Sequence, residues 1–315
     1  MGRIIKKLNM MLSIVSPIYK AENIVEKLVS EIEKEVSKLN IAYEIILVDD
    51  RSPDGSWEKM KEITSQYNNI KIIRLSRNFG QHPAIMAGLS QVSGKWTVVM
   101  DCDLQDQPKE IIKLYNKAQE GFDVVLARRK ERKDNFLKVL SSKIFSKVYG
   151  FFTDTKYDNE IANFGIYNKK VIQSILSISD YIKFFPLFVN FVGFNSTSIQ
   201  VEHASRESGS TSYSFGKLVS LAFNSIISFS NKPLKIFVKF GMIISLLSIF
   251  VGVYYIVEAY NNKIEVLGYT SIIVSIWFLS GIIITTIGVT GIYVGKIFDQ
   301  TKSRPPYIID EIYGD

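Results

Sequence analysis

Two aspartates and a glutamine alternate along one short stretch of the chain, directly after an apolar run. The stretch reads Val98-Val99-Met100-Asp101-Cys102-Asp103-Leu104-Gln105. Alternate residues of an extended chain project on the same side, so Asp101, Asp103 and Gln105 would present two carboxylates and one amide oxygen together. Hard oxygen ligands suit Mg²⁺ or Mn²⁺, which keep coordination positions open for substrate phosphates. The sequence therefore predicts a divalent-cation site at this stretch, with Cys102 on the opposite side as a packing residue.

Other charged residues also follow apolar runs. Asp49 and Asp50 end the run Tyr43–Val48, where they could bind a ligand or simply cap the turn that follows. Arg128 and Arg129 end the run Asp123–Ala127. Because arginine can bind phosphate oxygens through two parallel hydrogen bonds, these two are candidates for a phosphate contact.

The elements that must position these residues alternate between short apolar strands and amphipathic helices. A helix is predicted where Ile24, Leu28, Ile32 and Val36 recur at helical spacing, and others over Gln81–Gln91 and Pro108–Glu120. This alternation predicts an α/β fold with a doubly wound, mainly parallel sheet, which binds ligands at the carboxyl ends of its strands. The acidic residues lie at those ends. The predicted strands are Met11–Val15, Tyr43–Val48, Ile70–Arg74, Trp96–Met100 and Asp123–Ala127.

The last third of the chain contains two long uncharged runs, Phe240–Val257 and Val266–Gly295. Each reaches the roughly 18 residues that distinguish a membrane span from a short buried helix. We therefore expect two transmembrane helices, about 236–259 and 267–295, although a helical hairpin buried in a soluble core is the alternative. Lysines flank the pair on both outer sides, so the positive-inside rule places both ends of the hairpin in the cytoplasm.

This pattern divides the chain into four predicted parts. Residues 1–212 form a cytoplasmic catalytic domain, 213–232 a juxtamembrane amphipathic helix, 233–299 the two membrane helices and 300–315 a cytoplasmic tail. The segment Tyr213–Phe229 could equally be the last core helix of the soluble domain. The predicted location is the cell membrane, with several passes.

Composition excludes several classes of protein. The net charge of +7 and a pI near 9.1 fit an anionic membrane surface, and without a stripe of interleaved basic and aromatic residues we expect no nucleic-acid partner. One cysteine rules out an intrachain disulfide and a cysteine zinc site. No G-x-G-x-x-G follows the first predicted strand, which disfavours a dinucleotide dehydrogenase. The oligomeric state is left open, a homo-oligomer included.

Several motifs together resemble one family. Pro17-Ile18-Tyr19, Val48-Asp49-Asp50-Arg51-Ser52 and the Asp101–Gln105 stretch are similar to the signatures of glycosyltransferase family 2, with its GT-A fold. Asn78-Phe79-Gly80, the alanine and glycine of Ala84–Gly88, and Arg206-Glu207-Ser208-Gly209 resemble the branch that acts on polyprenyl phosphates. The two apolar runs and Arg304-Pro305-Pro306-Tyr307 are similar to its bacterial members.

The resemblance implies a role for each motif. Pro17, Tyr19 and Asp50, with Asp49 beside them, would hold the base and ribose of a nucleotide sugar. Glu22 would be a further nucleotide contact, although Ala21 stands at one of the usual acidic positions. Asp101, Asp103 and Gln105 would hold the Mg²⁺ or Mn²⁺. Arg206, in a loop rich in serine and glycine, would close over the diphosphate or the lipid phosphate; otherwise it is an exposed loop charge.

The chain departs at two positions from the pattern of the dolichol-phosphate mannosyltransferases, which belong to the polyprenyl-phosphate branch. Asn163-Phe164-Gly165-Ile166 stands where those enzymes have Asp-Phe-Arg-Leu, and Ser212 replaces a lysine. Asn163 cannot act as a general base at neutral pH, so a carboxylate role at that position is in doubt.

The predicted function is inverting transfer of a hexose, UDP-linked by analogy, to polyprenyl (undecaprenyl) phosphate on the cytoplasmic leaflet. The alternatives are a processive polysaccharide synthase and a membrane-tethered nucleotide-binding module without activity. A synthase of this fold would need more spans and a Q-x-x-R-W motif, which the chain lacks.

Overall fold

A computed structural model describes residues 11–129, 150–152, 161–180, 183–202, 226–227, 230–261 and 268–314. It divides into two compact units. The first consists of Met1–Lys147, Thr155–Ser212 and Arg304–Asp315, and the second of Val148–Asp154 and Tyr213–Ser303. Apart from residues 226–227, the predicted amphipathic helix Tyr213–Phe229 lies outside the described residues.

An eight-stranded sheet forms the centre of the first unit, in the order β7-β5-β6-β4-β1-β2-β3-β8. Neighbours among β1 to β4 run parallel, whereas β6 is antiparallel to both β4 and β5, and β8 is antiparallel to β3. The predicted α/β class with a mainly parallel sheet is confirmed, and the antiparallel pairs all involve β6 or β8. The strands are Leu12–Ile18 (β1), Tyr43–Asp49 (β2), Ile70–Leu75 (β3), Trp96–Val99 (β4), Val124–Arg129 (β5), Ile161–Asn168 (β6), Ser196–Val201 (β7) and Ile309–Tyr313 (β8).

The directions of the strands bring the ends of β1 to β5 to one edge of the sheet. Because β4 and β5 are both antiparallel to β6, β5 runs in the same direction as β1 to β4. The carboxyl ends of all these strands, and the amino end of β6, therefore lie along the same edge.

Helices cover both faces of this sheet. The first, α1, buries Val25, Leu28, Val29, Ile32 and Val36 at helical spacing, which matches the predicted apolar stripe. The helices of this unit are Val25–Val36 (α1), Ser56–Thr64 (α2), Gln81–Leu89 (α3), Glu110–Ala118 (α4), Lys169–Leu176 (α5) and Phe185–Phe191 (α6).

Helix α3 approaches the sheet closely because Gly88 has no side chain. A Cβ at this position would lie 2.5 Å from Val15 Cγ1 of β1 and 3.0 Å from Val48 Cγ2 of β2. Both valines are fully buried. The glycine therefore fixes how far the helix stands from the two strands that carry Pro17 and Asp50.

The C-terminal strand β8 has no counterpart among the predicted elements. It pairs with β3 from Ile72↔Tyr313 to Leu75↔Ile309. Asp310 forms an ion pair with Arg51, with 2.7 Å between Nη1 and Oδ2. Gly314 follows the strand with φ +88°, against the backbone of Ile70. The chain thus returns after its apolar helices to complete the sheet of the first unit.

The second unit contains two long helices over the two uncharged runs, Lys232–Tyr260 (α7) and Tyr269–Thr301 (α8). Phe237 and Phe240 of α7 line a cavity of about 440 Å³ with Trp277 and Phe278 of α8. Among the described residues, Ser275–Thr301, with a mean hydropathy of 1.8, is the helical stretch that by length and composition could cross a membrane. The second predicted span stays a prediction.

Candidate active site

A crevice opens where β1 and β4 separate at the carboxyl edge. Pairing of β1 with β2 continues to Ile18↔Asp49, whereas pairing of β1 with β4 ends at Val15↔Val99. The last bond between β1 and β4 runs from the Met100 N–H to the Val15 carbonyl. Two residues further, Pro17 faces the same side and has no N–H to donate, so the ladder cannot continue. Strands β2 and β3 lie on one side of β1, and β4 lies on its other side. The order of the strands therefore reverses at β1, and open α/β sheets bind ligands at such a reversal.

Three residues at this edge have a left-handed backbone although none is glycine. Lys20 follows β1 with φ +54°, Arg51 follows β2 with φ +55°, and Leu104 follows β4 with φ +58°. Such residues cost roughly 1–3 kcal/mol each and collect at functional sites. The loops after β1, β2 and β4 are therefore held in shape by the surrounding structure.

The acidic stretch after β4 lies in this crevice. Asp101, Asp103 and Gln105 are all half-buried, and the Gln105 N–H donates to Asp103 Oδ1 at 3.2 Å. Cys102, between the aspartates, packs against the hydrophobic core and lies beside the Tyr19 backbone. Burial, followed by the charge of Asp101, raises the pKa of this thiol to about 12. Cys102 is therefore a packing residue.

Gln81, the first residue of α3, also reaches the acidic stretch. Its Nε2 donates to Asp101 Oδ1 at 2.6 Å. No motif in the sequence singled out this glutamine. The signal available was its position, at the first turn of a helix that begins at the same sheet edge.

Asp50 is almost fully buried and accepts hydrogen bonds with both carboxylate oxygens. The Phe79 N–H donates to Oδ1 at 2.7 Å and the Gly80 N–H to Oδ2 at 2.8 Å. Burial raises the pKa of Asp50, and these two hydrogen bonds oppose that rise. The side chain therefore holds the loop that leads into α3.

Asp49 is also turned inward, and it caps the turn after β2. The Ser52 N–H donates to its Oδ1 at 3.0 Å, and Arg74 Nε lies 3.4 Å from its Oδ2. Burial raises the pKa of Asp49, while Ser52 and Arg74 lower it. This geometry matches the turn-capping alternative for Asp49.

The remaining predicted nucleotide contacts lie after β1. Tyr19 is 45% exposed, so its ring is accessible to a base. Glu22 Oε2 accepts from the Gly55 N–H at 3.1 Å, at the start of α2. A Cβ at position 55 would lie 2.6 Å from Glu22 Oε1, so a residue other than glycine there would displace the Glu22 carboxylate.

The predicted phosphate-side residues are only partly described. Arg128 and Arg129 end β5 at the same edge as Asp101. Asn163, half-buried in β6, stands two residues before Gly165, the partner of Val99, and so lies level with the residues that follow β4. Arg206 lies outside the described residues.

The oxygen donors after β4 suit a hard divalent cation. Across the described segments, no group of three or more His, Cys, Asp and Glu side chains converges on a point. Asp101 and Asp103, with the Gln105 amide oxygen, are a donor set that fits Mg²⁺ or Mn²⁺, because these ions also accept oxygen ligands from other molecules.

Comparison with known proteins identifies the family to which the chain belongs. Residues 13–176 match the family described as Glycosyl transferase family 2. The match extends from Ser13 of β1 to the end of α5 and includes every acidic residue of the candidate site. The chain belongs to glycosyltransferase family 2, and its first unit has the GT-A fold.

Individual relatives extend the similarity over nearly the whole chain. An uncharacterized glycosyltransferase of Synechocystis is 34% identical over 96% of both chains. The undecaprenyl-phosphate 4-deoxy-4-formamido-L-arabinose transferase of Proteus mirabilis is 30% identical over 96% of this chain and 94% of its own.

Among solved structures, glucosyl-3-phosphoglycerate synthase from Mycobacterium tuberculosis, in complex with Mn²⁺, UDP-glucose and phosphoglyceric acid, has the same fold. The TM-score is 0.52 at 13% identity, over 71% of this chain and 80% of that one. This similarity supports the fold alone.

Proposed function

We propose that the protein transfers a hexose from a nucleotide sugar, UDP-linked by analogy, to polyprenyl phosphate with inversion at the anomeric carbon. The similarity to an undecaprenyl-phosphate sugar transferase over 96% of this chain, including the apolar helices, is the observation that carries the proposal. A soluble acceptor would not require the apolar helices to be shared.

The nucleotide would lie at the open end of β1, with Tyr19 against the base. Pro17 keeps β4 from closing the crevice, and the loop after β2 would face the ribose. Asp50 would contribute by holding that loop against α3, and one of its oxygens could still accept a bond from the nucleotide. Glu22 would act through the α2 turn.

Asp101 and Asp103, with Gln105, would hold Mg²⁺ or Mn²⁺ against the donor diphosphate. When bound, such a cation neutralises the charge that grows on the leaving diphosphate. The chain's own contribution is to place two carboxylates beside the crevice, on a loop in which Leu104 has a left-handed backbone.

The acceptor needs little help from a general base. A phosphate monoester has a second pKa of about 6, so most of it is already a dianion at neutral pH. One of its oxygens would attack the anomeric carbon while the nucleoside diphosphate leaves from the opposite face. This accounts for an amide, Asn163, at the edge where related enzymes have a carboxylate.

Membrane placement follows from the same proposal. Both apolar helices would cross the cell membrane, with the catalytic unit and both chain ends in the cytoplasm. Arg128, Arg129 and Arg206 are proposed contacts for the diphosphate or the lipid phosphate.

The test is an assay of membranes containing the protein, with Mn²⁺ and a panel of nucleotide sugars, with and without undecaprenyl phosphate. We expect one nucleotide sugar to give a lipid-linked monosaccharide only when the lipid phosphate is present. Products longer than one sugar would point to a processive synthase. Transfer to water alone, or nucleotide binding without turnover, would contradict the proposal.

A further inference from the structure

We propose that Gln81 is a positioning residue that holds the Asp101 carboxylate in the orientation needed to bind a divalent cation on the donor diphosphate. This inference rests on the proposed function and deepens it. It assigns a role in the cation site to a residue that lies outside the acidic motif.

The contact between the two side chains is short and joins the first residue of α3 to the loop after β4. Gln81 Nε2 and Asp101 Oδ1 are 2.6 Å apart, a short hydrogen bond to a charged acceptor. Asp101 stands after the end of β4, outside any strand or helix. The amide of Gln81 restricts the rotation of the Asp101 carboxylate.

Gln81 can restrict Asp101 because the start of α3 is itself fixed. Asp50 accepts the N–H groups of Phe79 and Gly80, at 2.7 and 2.8 Å. Gly80 has φ +98°, a conformation that L side chains rarely adopt, which lets the chain turn sharply into the helix. A chain of contacts therefore runs from the buried Asp50 through the loop to Gln81 and Asp101.

The body of the helix is fixed by packing. Gly88 stands directly against Val15 and Val48, so α3 cannot move closer to the sheet. His82, next to Gln81, lies against the Phe184 ring with 4.4 Å between centroids. Burial lowers the pKa of His82 to about 4, so the imidazole is neutral at pH 7 and adds no charge beside the carboxylates.

A glutamine suits this task because its amide is a neutral donor. The amide donates to Oδ1 without adding a charge, so this contact does not neutralise the negative charge of Asp101. A lysine or arginine would bring a positive charge that competes with the cation, and a carboxylate would repel Asp101. Hydrogen bonds that orient a ligand contribute to metal affinity without touching the metal.

The experiment compares Gln81→Met with wild-type full-length protein in detergent. Methionine has a similar length and no donor. Mn²⁺ is titrated in the presence of saturating UDP, with free Mn²⁺ measured by electron paramagnetic resonance. We expect Mn²⁺ to bind roughly tenfold more weakly to the variant. UDP affinity without metal, and the melting temperature, should be unchanged. Gln91→Met, just beyond the other end of the same helix, is the matched control and should bind Mn²⁺ like wild type.

Asp101→Ala, measured in parallel, separates the two proposals. If Asp101→Ala weakens Mn²⁺ binding and Gln81→Met does not, the role of Gln81 is wrong and the cation site stands. If neither variant weakens it, or if wild type binds no Mn²⁺ with UDP, both are wrong. If Gln81→Met weakens metal-free UDP binding by the same factor as Mn²⁺ binding, or if it lowers the melting temperature, the residue only maintains the loop. Either result would refute the positioning role.

Discussion

Replacing Gly88 by alanine tests whether α3 packs against the sheet as closely as described. The new Cβ would lie 2.5 Å from Val15 Cγ1 and 3.0 Å from Val48 Cγ2. Real Cβ atoms essentially never approach below 3.0 Å, so a side chain or the helix must shift. Both neighbours are β-branched and stiff at χ1, and both are fully buried, so neither can rotate away cheaply.

Two opposing effects set the magnitude. Overfilling a well-packed core costs about 1–3 kcal/mol. Alanine gains about 1 kcal/mol over glycine inside a helix. The difference is a loss of about 0–2 kcal/mol in the free energy of unfolding. For a domain of this size we therefore expect the melting temperature to fall by up to about 8 °C. Turnover should fall as well, since a displaced α3 carries Gln81 away from Asp101.

Thermal unfolding followed by tryptophan fluorescence measures the effect, because Trp57 and Trp96 are buried in the first unit. Gly288→Ala is the control substitution, since a Cβ there would meet nothing within 4 Å. A second background, Val15→Ala, removes the closest neighbour, and in it the cost of Gly88→Ala should be at least halved. Equal costs in the two backgrounds, or a gain in stability from Gly88→Ala alone, would refute the close packing.

Four further outcomes are expected. Asp103→Ala should abolish transfer without lowering the melting temperature, since the residue lies in a loop; near-normal turnover would count against the cation site. Cys102, whose pKa burial raises to about 12, should resist a thiol reagent at pH 8, and rapid labelling would contradict its packing role. That low background allows a topology test: an external reagent should label Asn261→Cys and not Lys302→Cys, and the reverse would refute a cytoplasmic C-terminus. Arg206→Lys should lower turnover roughly ten- to a hundredfold in steady-state kinetics and should lower donor affinity less. Turnover equal to that of wild type would make Arg206 a surface charge.

The central strands could be predicted because parallel strands buried on both faces are continuous apolar runs. The predicted run Tyr43–Val48 and the observed β2 differ by one residue. Strand β8 could not be predicted in this way. Its sequence, Ile-Asp-Glu-Ile-Tyr, is mostly exposed, and it becomes a strand through pairing with β3. Edge strands of this kind depend on a tertiary contact that local periodicity does not contain.

The site could be predicted in part for a similar reason. Asp50 and Asp101 can be predicted because they follow apolar runs, and the ends of parallel strands meet at one edge. Asp103 can be predicted because it alternates with Asp101. The inward turn of Asp49 and Asp50 and the contact of Gln81 with Asp101 depend on loop geometry. That geometry involves residues with a left-handed backbone, such as Arg51. No general rule predicts this backbone conformation for an arginine.

Strand β8 pairs with β3 but is synthesised after the two apolar helices, so the sheet is completed only after both helices have been made. Arg51 and Asp310 are 259 positions apart, and both apolar helices are synthesised between them. Contacts of such long separation carry a large loop-closure entropy and form late in folding. Until β8 arrives, β3 is an open edge that can pair with another chain.

Consequently, a truncation that removes the apolar helices together with everything after them also removes a strand of the catalytic unit. A soluble version of this unit would keep its edge covered only if residues 304–314 were joined back to it through a linker.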